Sequence, residues 1–339
     1  MDRKLVRWLI CILILCGILL GVGAFSLSVG SAGIPFRKII PLILGGRGTT
    51  EYSILFDIRL PRIILGFAVG SALSIAGVIL QGMFRNPLVE PYTLGISGGA
   101  ALGVCLNIVL RLNRIGGILS IPASGFLGAI VVIMVVYSLS ARRGILRIHG
   151  LLLTGVMISF ISSSLIMLIM AISRTEDLHG IIFWIMGSLE EPNLVLIKVI
   201  VLISVLGLFI SYLFATELNA LALGEEEALH LGINTEKTKR LLFILASLLT
   251  GCAVSVAGVI GFVGLVVPHF MRMFVGGDHR ILLITSALAG GVFLILCDTL
   301  ARTIIAPLEL PVGVITGIVG GIIFVYFLSK KQVVLGGGN

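Results

Sequence analysis

Long runs without acidic or basic side chains divide the chain into a series of apolar segments. Most of the nine runs are close to the roughly 20 residues that an α-helix needs to cross about 30 Å of hydrocarbon. Because lipid offers no partner for unpaired backbone groups, helices are the expected form, and runs this uniformly apolar do not fit barrel strands. The runs are residues 8–36, 63–84, 91–110, 115–141, 150–173, 199–216, 241–271, 281–297 and 310–329.

The run 241–271 is the longest, and it is too long for a single span. As one helix its 31 residues would extend about 46 Å. Four glycines and a proline inside it favour a break: Gly251, Gly258, Gly261, Gly264 and Pro268. We therefore expect two shorter helices here, which gives ten spans in all.

A short apolar phrase occurs twice in the chain, about half its length apart. Residues 72–80 read ALSIAGVIL and residues 253–261 read AVSVAGVIG, with six of nine positions identical at an offset of 181. At the same offset Pro87 corresponds to Pro268. The copies fall in the second and seventh spans, which cross in opposite directions, so they indicate an inverted repeat of five helices plus five. The alternative is a chance match among common small residues.

The composition is typical of a protein that lies in lipid. Hydrophobic residues make up 58% of the chain and charged residues only 12%, whereas a soluble domain carries about 25% charged residues. The net charge of +8 comes from basic residues scattered between the runs, which indicates membrane interfaces and argues against nucleic-acid binding. We predict an all-α membrane protein with one transmembrane domain over 1–339, in half-repeats of roughly 1–190 and 191–339.

Both termini are expected in the cytoplasm. The basic start and the run 8–36 imitate a signal peptide, but the run is too long for the apolar core of one, so we expect an uncleaved first span. With this orientation, lysines and arginines are in modest excess on the cytoplasmic side. We therefore expect a multi-pass protein of the cell (inner) membrane.

The sequence offers little that could perform covalent chemistry. It contains no G-x-x-x-x-G-K-[ST] phosphate loop, no H-E-x-x-H zinc motif and no G-x-S-x-G elbow. The five cysteines lie in apolar runs without C-x-x-C spacing, which indicates neither a zinc site nor a disulfide framework. Acidic residues within the membrane are nearly absent, and Asp298, near the end of the ninth span, is the deepest of them. We predict no enzyme, no bound metal or cofactor, and an energy source outside this chain.

The longest polar stretch is ATELNALALGEEEALHLGINTEKTKR, residues 215–240, between the sixth and seventh spans. Leucines alternate with glutamates, and Gly224 and Gly232 interrupt the stretch, which predicts two short amphipathic helices with a glycine break. The alternative is a solvated loop, but such a loop has no need of so many leucines beside three consecutive glutamates. We therefore predict a docking surface for a soluble partner.

Four stretches of the chain carry a family resemblance. They are RLPRIILGFAVGSALSIAGVILQGMFRNPLVEPYTLGISGGAALG at 59–103, ALGEEEALHLGI at 222–233, GVIGFVGLVVPHFMRMFVGGDHRILL at 258–283 and LARTIIAPLELPVGVITGIVGG at 300–321. In order and spacing they resemble permease subunits of ABC importers for iron chelates, haem and vitamin B12, the FecCD type. The resemblance implies ten helices per subunit and a homodimer with the path at its interface. It also implies two ATPase subunits, which bind ATP and Mg, and a periplasmic or lipoprotein substrate-binding protein.

The resemblance also implies sites on both sides of the membrane. Coupling to the ATPase would involve residues that match the family pattern: Gly224, Glu225, Ala228, Leu231 and Gly232. Docking of the binding protein would use three arginines, since guanidinium pairs bidentately with carboxylate: Arg59, Arg62 and Arg302. The alternative for each arginine is an anchor to lipid headgroups.

Two further sets of residues follow from the resemblance. A cytoplasmic gate would combine the turn after the second span with the start of the fifth: Asn86, Pro87, Leu88, Ile148 and His149. Pro87 cannot continue a helix and pushes the residue before it to an extended conformation. The path would be lined by the fifth span, where helix packing is the alternative role: Met157, Ser159, Ser163 and Met167.

These expectations describe the membrane subunit of an ABC importer that works by alternating access. The stretch 91–103 looks most like the branch for ferric siderophores, with cobalamin and haem as alternatives. Ile148 and His149 depart from the small hydroxyl residues expected in vitamin B12 members. The alternative from another class is a carrier driven by an ion gradient, which would have no need of residues 215–240 as a docking element.

Overall fold

The computed structural model describes residues 3–30, 33–142, 145–191 and 193–336, and these are almost entirely helical. Ten of the described helices coincide with the ten predicted spans, so the all-α prediction is confirmed. In chain order they are α1 (Arg3–Ser28), α2 (Leu60–Phe84), α3 (Ile96–Val109), α4 (Ser120–Ser140), α5 (Ile148–Ile172), α6 (Leu194–Leu213), α7 (Thr235–Ala257), α8 (Val263–Val275), α9 (His279–Thr303) and α10 (Val312–Gly336).

Seven of these helices are long and apolar enough to cross a membrane: α1, α2, α4, α5, α6, α7 and α9. Helix α3 has 14 residues and α8 has 13, so they extend only about 21 and 20 Å. That is less than the roughly 30 Å of a hydrocarbon core. Helix α3 is short because the first residues of its apolar run form a separate 3₁₀ turn at Pro91–Leu94, which the sequence did not predict. Helix α8 is short because the run 241–271 is divided, as predicted, into α7 and α8.

Shorter elements connect the ten helices. Two-residue strands β1 (Ala141–Arg142) and β2 (Ile145–Leu146) pair antiparallel, with Ala141 opposite Leu146. A π-helical segment runs directly into α2, and two of the other connections are 3₁₀ turns. The additional helical elements are Phe36–Gly45, Thr50–Ser53, Ile54–Arg59 (π), Pro91–Leu94 (3₁₀), Asn113–Gly116, Gly117–Leu119 (3₁₀), Thr175–Met186, Ala215–Leu223 and Glu225–His230.

Helix α2 lies at the centre of the bundle, and every residue in 68–84 is buried. Its glycines permit backbone contact with two neighbours. A Cβ on Gly70 would collide with the backbone of Gly290 in α9, and a Cβ on Gly77 would collide with the carbonyl oxygen of Gly264 in α8. Because no hydrophobic force presses helices together in lipid, such close contact supplies the packing energy. The first copy of the repeated phrase therefore forms the core.

The helices that carry the two copies of the phrase run in opposite directions. The loop before α6 contains Ser188 and Glu190. A Glu190 carboxylate oxygen lies 3.1 Å from Nη1 of Arg62, near the start of α2, and the N–H of Ser188 donates to the carbonyl of Ala257, at the end of α7. The start of α2 and the end of α7 therefore lie at the same end of the bundle. We call this the arginine end of the bundle. At the other end, the coupling end, residues 215–232 contact both the last residues of α2 and the first turns of α7. The inverted orientation of the two copies is thus confirmed.

The predicted break in the run 241–271 occurs between α7 and α8, at residues 258–262. Gly258 and Phe262 both have left-handed backbone conformations there, with φ of +69° and +68°. The N–H of Ile260 donates to the Tyr92 hydroxyl at 3.1 Å, which ties the break to the 3₁₀ turn before α3. The repeat is only approximate here, because α7 stops at Gly258 whereas α2 continues as a helix through the corresponding Gly77.

Candidate functional site

The segment 215–240 folds as the sequence predicts, into two short helices separated by a glycine. Helix Ala215–Leu223 ends at Gly224, and helix Glu225–His230 follows at once. Gly224 has φ +150° and Gly232 has φ +81°, conformations that side-chain-bearing residues rarely adopt. We call the two helices and the turn after them, residues 215–232, the coupling hairpin.

The five predicted coupling residues lie on two levels of the coupling hairpin. Gly224 and Ala228 are buried against the bundle, whereas Glu225, Leu231 and Gly232 are exposed. Exposed leucines surround them, at Leu223, Leu229 and Leu231. The hairpin therefore presents apolar and acidic side chains together on its outer face, and its two small buried residues let it lie close to the bundle.

A buried lysine anchors this hairpin to two transmembrane helices. Lys239, in the second turn of α7, is 1% exposed, and its Nζ lies 3.0 Å from a Glu225 carboxylate oxygen. The same ammonium pairs with Glu236 and donates to the carbonyl of Leu146 at 3.4 Å. Glu236 accepts the N–H of Leu146 at 2.8 Å. We call Glu225, Glu236, Lys239 and the backbone of Leu146 the clamp. Leu146 lies two residues before α5, so the clamp connects the hairpin to the first turn of that helix.

Sequence reasoning missed this clamp. Two of the partners of Lys239 lie 14 and 93 residues away along the chain, so no local pattern connects them to it. The i, i+3 spacing of Glu236 and Lys239 at the start of an apolar helix was the only local signal.

A cavity of about 1030 Å³ lies at the coupling end beside the clamp. It is bordered by the last residues of α2, the first turn of α5 and the coupling hairpin. Two of the predicted gate residues, Ile148 and His149, line it together with Arg85 and Glu225. The structure therefore brings part of the predicted gate next to the predicted coupling residues.

The other predicted gate residues form a turn at the edge of this region. Arg85 ends α2 in a left-handed conformation with φ +51°, and Asn86 Oδ1 accepts the N–H of Leu88 at 2.9 Å. Leu88 is exposed, while Asn86 and Pro87 are half-buried. Asn86, Pro87 and Leu88 do not line the cavity, although Arg85 does. The two parts of the predicted gate therefore do not share one cavity wall, and the gate stays a prediction.

Asp278 caps the start of α9 at the same end of the bundle. Its carboxylate accepts the N–H of Arg280, a side-chain N–H of Asn219 at 3.1 Å and the ammonium of Lys4 at 3.0 Å. Burial alone would raise the pKa of Asp278, but these hydrogen bonds outweigh burial and lower it below its usual value. Asp278 thus links α1, α9 and the first helix of the coupling hairpin.

The three predicted docking arginines lie inside the arginine end. Arg59, Arg62 and Arg302 are 3%, 7% and 4% exposed. Arg62 Nε lies 2.8 Å from Asp298 Oδ1, and Arg302 Nε lies 3.0 Å from Asp298 Oδ2. In this structure a buried carboxylate and a backbone carbonyl already bind these arginines, and their role in docking stays a prediction.

The network extends from the buried centre to the surface. Arg62 Nη1 lies 2.6 Å from Glu309 and 3.1 Å from Glu190, and these two carboxylates are partly exposed. The pKa of Glu190 is raised, first by its hydrogen bond with Glu309 and then by burial. The pKa of Glu309 is lowered, since that hydrogen bond and the charge of Arg62 outweigh burial. The two carboxyl groups thus compete for Arg62, and Glu190 is the one that holds a proton more readily.

Arginines of this end also fix the last turns of α1. Arg302 Nη2 donates to Ser26 Oγ at 2.8 Å, and Arg59 Nη1 donates to the carbonyl of Leu27 at 2.5 Å. Thr299 Oγ1 donates to the same Ser26 oxygen at 2.9 Å. Sequence reasoning identified the arginines but not their partners, which lie in α1, in α9 and in two loops. A Leu-Glu-x-Pro pattern at both 189–192 and 308–311 was the available signal for the two glutamates.

The predicted path residues lie on a helix that is mostly exposed in the single chain. A narrow stripe of α5 is buried, at Leu151, Gly155, Ser162 and Ile166. Met157, Ser163 and Met167 are exposed, and Ser159 is half-buried with its hydroxyl bonded to the carbonyl of Gly155 at 3.0 Å. Three of the four therefore belong to an outer surface without charged side chains, and their role as path lining stays a prediction.

A sequence model described as the FecCD transport family matches residues 14–330 of this chain. The chain belongs to the FecCD transport family. Among the described residues, seven helices are long and apolar enough to cross a membrane, and together with this membership they indicate a multi-pass membrane protein.

Individual relatives of this FecCD-family chain are named as permeases. The hemin transport system permease protein HmuU of Yersinia pestis is 39% identical, over 96% of each chain. The cobalamin import system permease protein BtuC of Halobacterium salinarum is also 39% identical, over 91% of this chain and 83% of that protein. These relatives identify the chain as a transport component.

A solved structure supports the same assignment for the fold. It is described as an inward-facing conformation of a transporter assigned to the metal-chelate type of ABC transporters. The TM-score is 0.83 at 30% identity, and the match covers 95% of this chain and 99% of the other. FecCD-family members are ABC transporter permeases that work with ATPase and substrate-binding partners, so this chain is an ABC permease subunit.

Proposed function

We propose that this FecCD-family chain carries an organic metal chelate into the cell, as the membrane subunit of an ABC importer that works by alternating access. A ferric siderophore is the first candidate cargo, and haem and cobalamin belong to the same class. The observation that carries the proposal is the coupling hairpin, whose exposed leucines and glutamates are anchored by Lys239 to α7 and to the start of α5.

The hairpin is suited to transmit the movement of an ATPase. Its exposed leucines would lie in a groove of the partner, and Glu225 would move with them. Because Glu225 and the backbone of Leu146 share the ammonium of Lys239, a displacement of the hairpin acts on the first turn of α5. ATP binding by the partner supplies the difference in interaction energy that two conformations require. ATP and Mg would therefore reside on the partner.

The cavity beside the clamp would be the inner mouth of the path. Ile148 and His149 in its wall would move with α5, and the turn with Asn86, Pro87 and Leu88 would form the opposite side of the gate. Arg85, the residue just before this turn, lines the cavity, so a movement of the turn would act directly on the cavity wall. In this orientation the coupling end faces the cytoplasm, together with both termini.

The arginine end would then receive the substrate-binding protein. Arg62 already has two partly exposed carboxylate partners, Glu190 and Glu309. An acidic residue of the binding protein would replace one of them, since all three compete for the same guanidinium. Docking at Arg59, Arg62 and Arg302 thus requires the network to rearrange, which would couple arrival of the binding protein to the ends of α1, α2 and α9.

The uncharged outer face of α5 would meet a second copy of the chain. Met157, Ser159, Ser163 and Met167 would then border a path on the two-fold axis of a homodimer. A path lined by methionine and hydroxyl side chains suits a bulky chelate whose metal charge is already neutralised by its ligand. Hemin and cobalamin, for which two relatives are named, are both chelates of this kind.

Uptake measurements in cells that lack this chain test the proposal. Cells complemented with the chain, its ATPase and its binding protein receive a radiolabelled ferric siderophore, haemin or cobalamin in separate experiments. We expect uptake of one of the three that stops when ATP is depleted and continues when ion gradients are collapsed. The opposite pattern, uptake that follows an ion gradient and needs no ATPase, would show a secondary carrier instead.

A further inference from the structure

Helix α1 is fixed to the bundle at both ends and is loosely packed between them. At one end Lys4 pairs with Asp278, and at the other Ser26 is bonded by Thr299 and Arg302. Between these ends most α1 side chains are exposed or half-buried. The middle of α1 therefore borders a seam with the neighbouring helices.

An apolar cavity of about 590 Å³ occupies this seam. It lies between α1, α8, α9 and α10, and every side chain that lines it is aliphatic, aromatic or methionine. Leu15 and Ile18 border it from α1, and Phe270, Val292 and Phe293 border it from α8 and α9. The hydroxyl of Tyr326 is the one side-chain polar group among the residues that line it. One hydroxyl is too few to hold water there, so the natural occupant is a hydrocarbon chain.

A second cavity, of about 480 Å³, lies between α1 and the end of α8, and basic side chains are among the residues that line it. Lys4, Arg7 and Trp8 line it from the first turns of α1, and residues 273–276 line it from the end of α8. The Lys4 ammonium lies 4.9 Å from the centre of the Trp8 ring. In the part of the chain that the structure describes, Arg7 makes no ion pair, although Lys4 does.

The two cavities lie end to end along the seam. On α1 the basic cavity is lined within residues 4–11 and the apolar cavity within residues 15–18. On α8, which runs the opposite way, the basic cavity is lined by residues 273–276 and the apolar cavity within residues 266–271. Along α1, Lys4 and Ile18 are about 21 Å apart, from the rise of an α-helix. One leaflet measures about 20–22 Å when its headgroup region is included, so a headgroup beside Lys4 places an acyl chain beside Leu15 and Ile18.

We propose that this seam is a binding site for an anionic phospholipid. The phosphate lies against Arg7 and Lys4, with the Trp8 indole N–H as a third donor, and one acyl chain fills the apolar cavity. The occupant is a lipid rather than a peptide because basic and aromatic side chains meet the apolar cavity at leaflet depth, the arrangement that binds acidic headgroups between transmembrane helices. The site does not include the residues proposed to line the path and does not depend on the identity of the cargo. Lys4 connects it, through Asp278, to Asn219 of the coupling hairpin.

Lipid binding to the purified full-length chain tests the proposal. Phosphatidylglycerol or phosphatidylcholine is added to the protein in detergent, bound lipid is counted by native mass spectrometry, and the midpoint of thermal unfolding is measured. We expect phosphatidylglycerol to remain bound and to raise the midpoint more than phosphatidylcholine. Arg7→Gln should weaken phosphatidylglycerol binding roughly five- to tenfold, the effect of one basic side chain near a charged headgroup.

Two further variants separate the headgroup from the acyl chain. Arg280→Gln is the matched control, since Arg280 is exposed at the same end of the bundle and lines neither cavity. It should bind phosphatidylglycerol as the unaltered chain does. Ala289→Trp would occupy the apolar cavity and should weaken binding of phosphatidylglycerol with long acyl chains.

Three results would overturn the proposal. The first is equal binding of the two lipids, and the second is unchanged phosphatidylglycerol binding by both Arg7→Gln and Ala289→Trp. The third is that Ala289→Trp separates a dimer while lipid binding stays the same, which would make the seam an interface between copies. Arg7 is exposed, so Arg7→Gln gives a result even if Ala289→Trp does not fold.

Discussion

Replacing Leu231 by aspartate in the coupling hairpin should weaken binding of the ATPase without unfolding the chain. Leu231 is 65% exposed, so the fold loses little when it is changed, and exposed substitutions usually alter stability by about 0.5 kcal/mol or less. Complete burial of a leucine side chain is worth about 1.5–3 kcal/mol. The part still available to a partner is then worth roughly 1–2 kcal/mol per hairpin.

That free energy corresponds to a roughly five- to thirtyfold weaker complex, because about 1.4 kcal/mol is a factor of ten. The new carboxylate also stands beside Glu225, Glu226 and Glu227, which adds repulsion wherever the partner groove excludes water. We expect ATP hydrolysis by the remaining complex to continue while cargo uptake falls, since a weakly seated hairpin cannot pass movement to α5.

The assay measures affinity between the purified ATPase and the chain in nanodiscs, followed by uptake and ATP hydrolysis in proteoliposomes. Leu308→Asp is the matched control: Leu308 is 68% exposed and lies in the loop after α9, at the arginine end. It adds the same charge to an equally exposed leucine and should leave ATPase affinity unchanged. The reasoning is refuted if Leu231→Asp binds the ATPase and takes up cargo like the unaltered chain, or if Leu308→Asp weakens binding equally.

Three other substitutions test the packing and the charges of the bundle by thermal unfolding. Gly77→Ala should lower the free energy of unfolding by about 1–3 kcal/mol, because the new Cβ would collide with a backbone oxygen. Gly17→Ala is the control: its Cβ would meet open space, so it should leave stability unchanged or raise it. Equal effects of the two substitutions would contradict the described packing. Asp298→Asn should cost about 3–5 kcal/mol by leaving Arg302 as a buried charge, and adding Arg302→Gln should recover part of it. Folding lowers the pKa of Asp278, so its carboxylate stabilises the fold above about pH 3.9, and this stabilisation is lost as the pH falls through the pKa of the folded state. Asp278→Asn should therefore flatten the loss of stability in acid. If stability depends on pH in the same way with and without the substitution, Asp278 does not make this contribution.

The spans and their antiparallel repeat could be predicted because they depend on local pattern. A charge-free run of about 20 residues has few ways to satisfy its backbone in lipid, and the phrase at 72–80 and 253–261 marks two positions of similar packing. The glycine break at Gly224 could also be predicted, since amphipathic leucines change to glutamates on either side of it.

The charge networks could not be predicted, because their members meet only after the helices assemble. Arg62 binds carboxylates that lie 128, 236 and 247 residues away, and each of these partners has an ordinary sequence context. An isolated arginine near a span end reads equally well as a docking residue, a lipid anchor or half of an internal ion pair. Only the fold shows that the third arrangement is present in this structure.

The buried centre of the bundle has a consequence for how this protein can diversify. Residues 68–84 carry much of the family resemblance, yet they are buried, and Gly70 and Gly77 leave no space even for a methyl group. Change there is penalised whatever the cargo. The outer face of α5 is exposed in the single chain. Under the proposed function, adaptation to a new cargo would therefore proceed on that face while residues 68–84 stay unchanged. Residues 68–84 therefore identify the family of the chain but carry no information about its cargo.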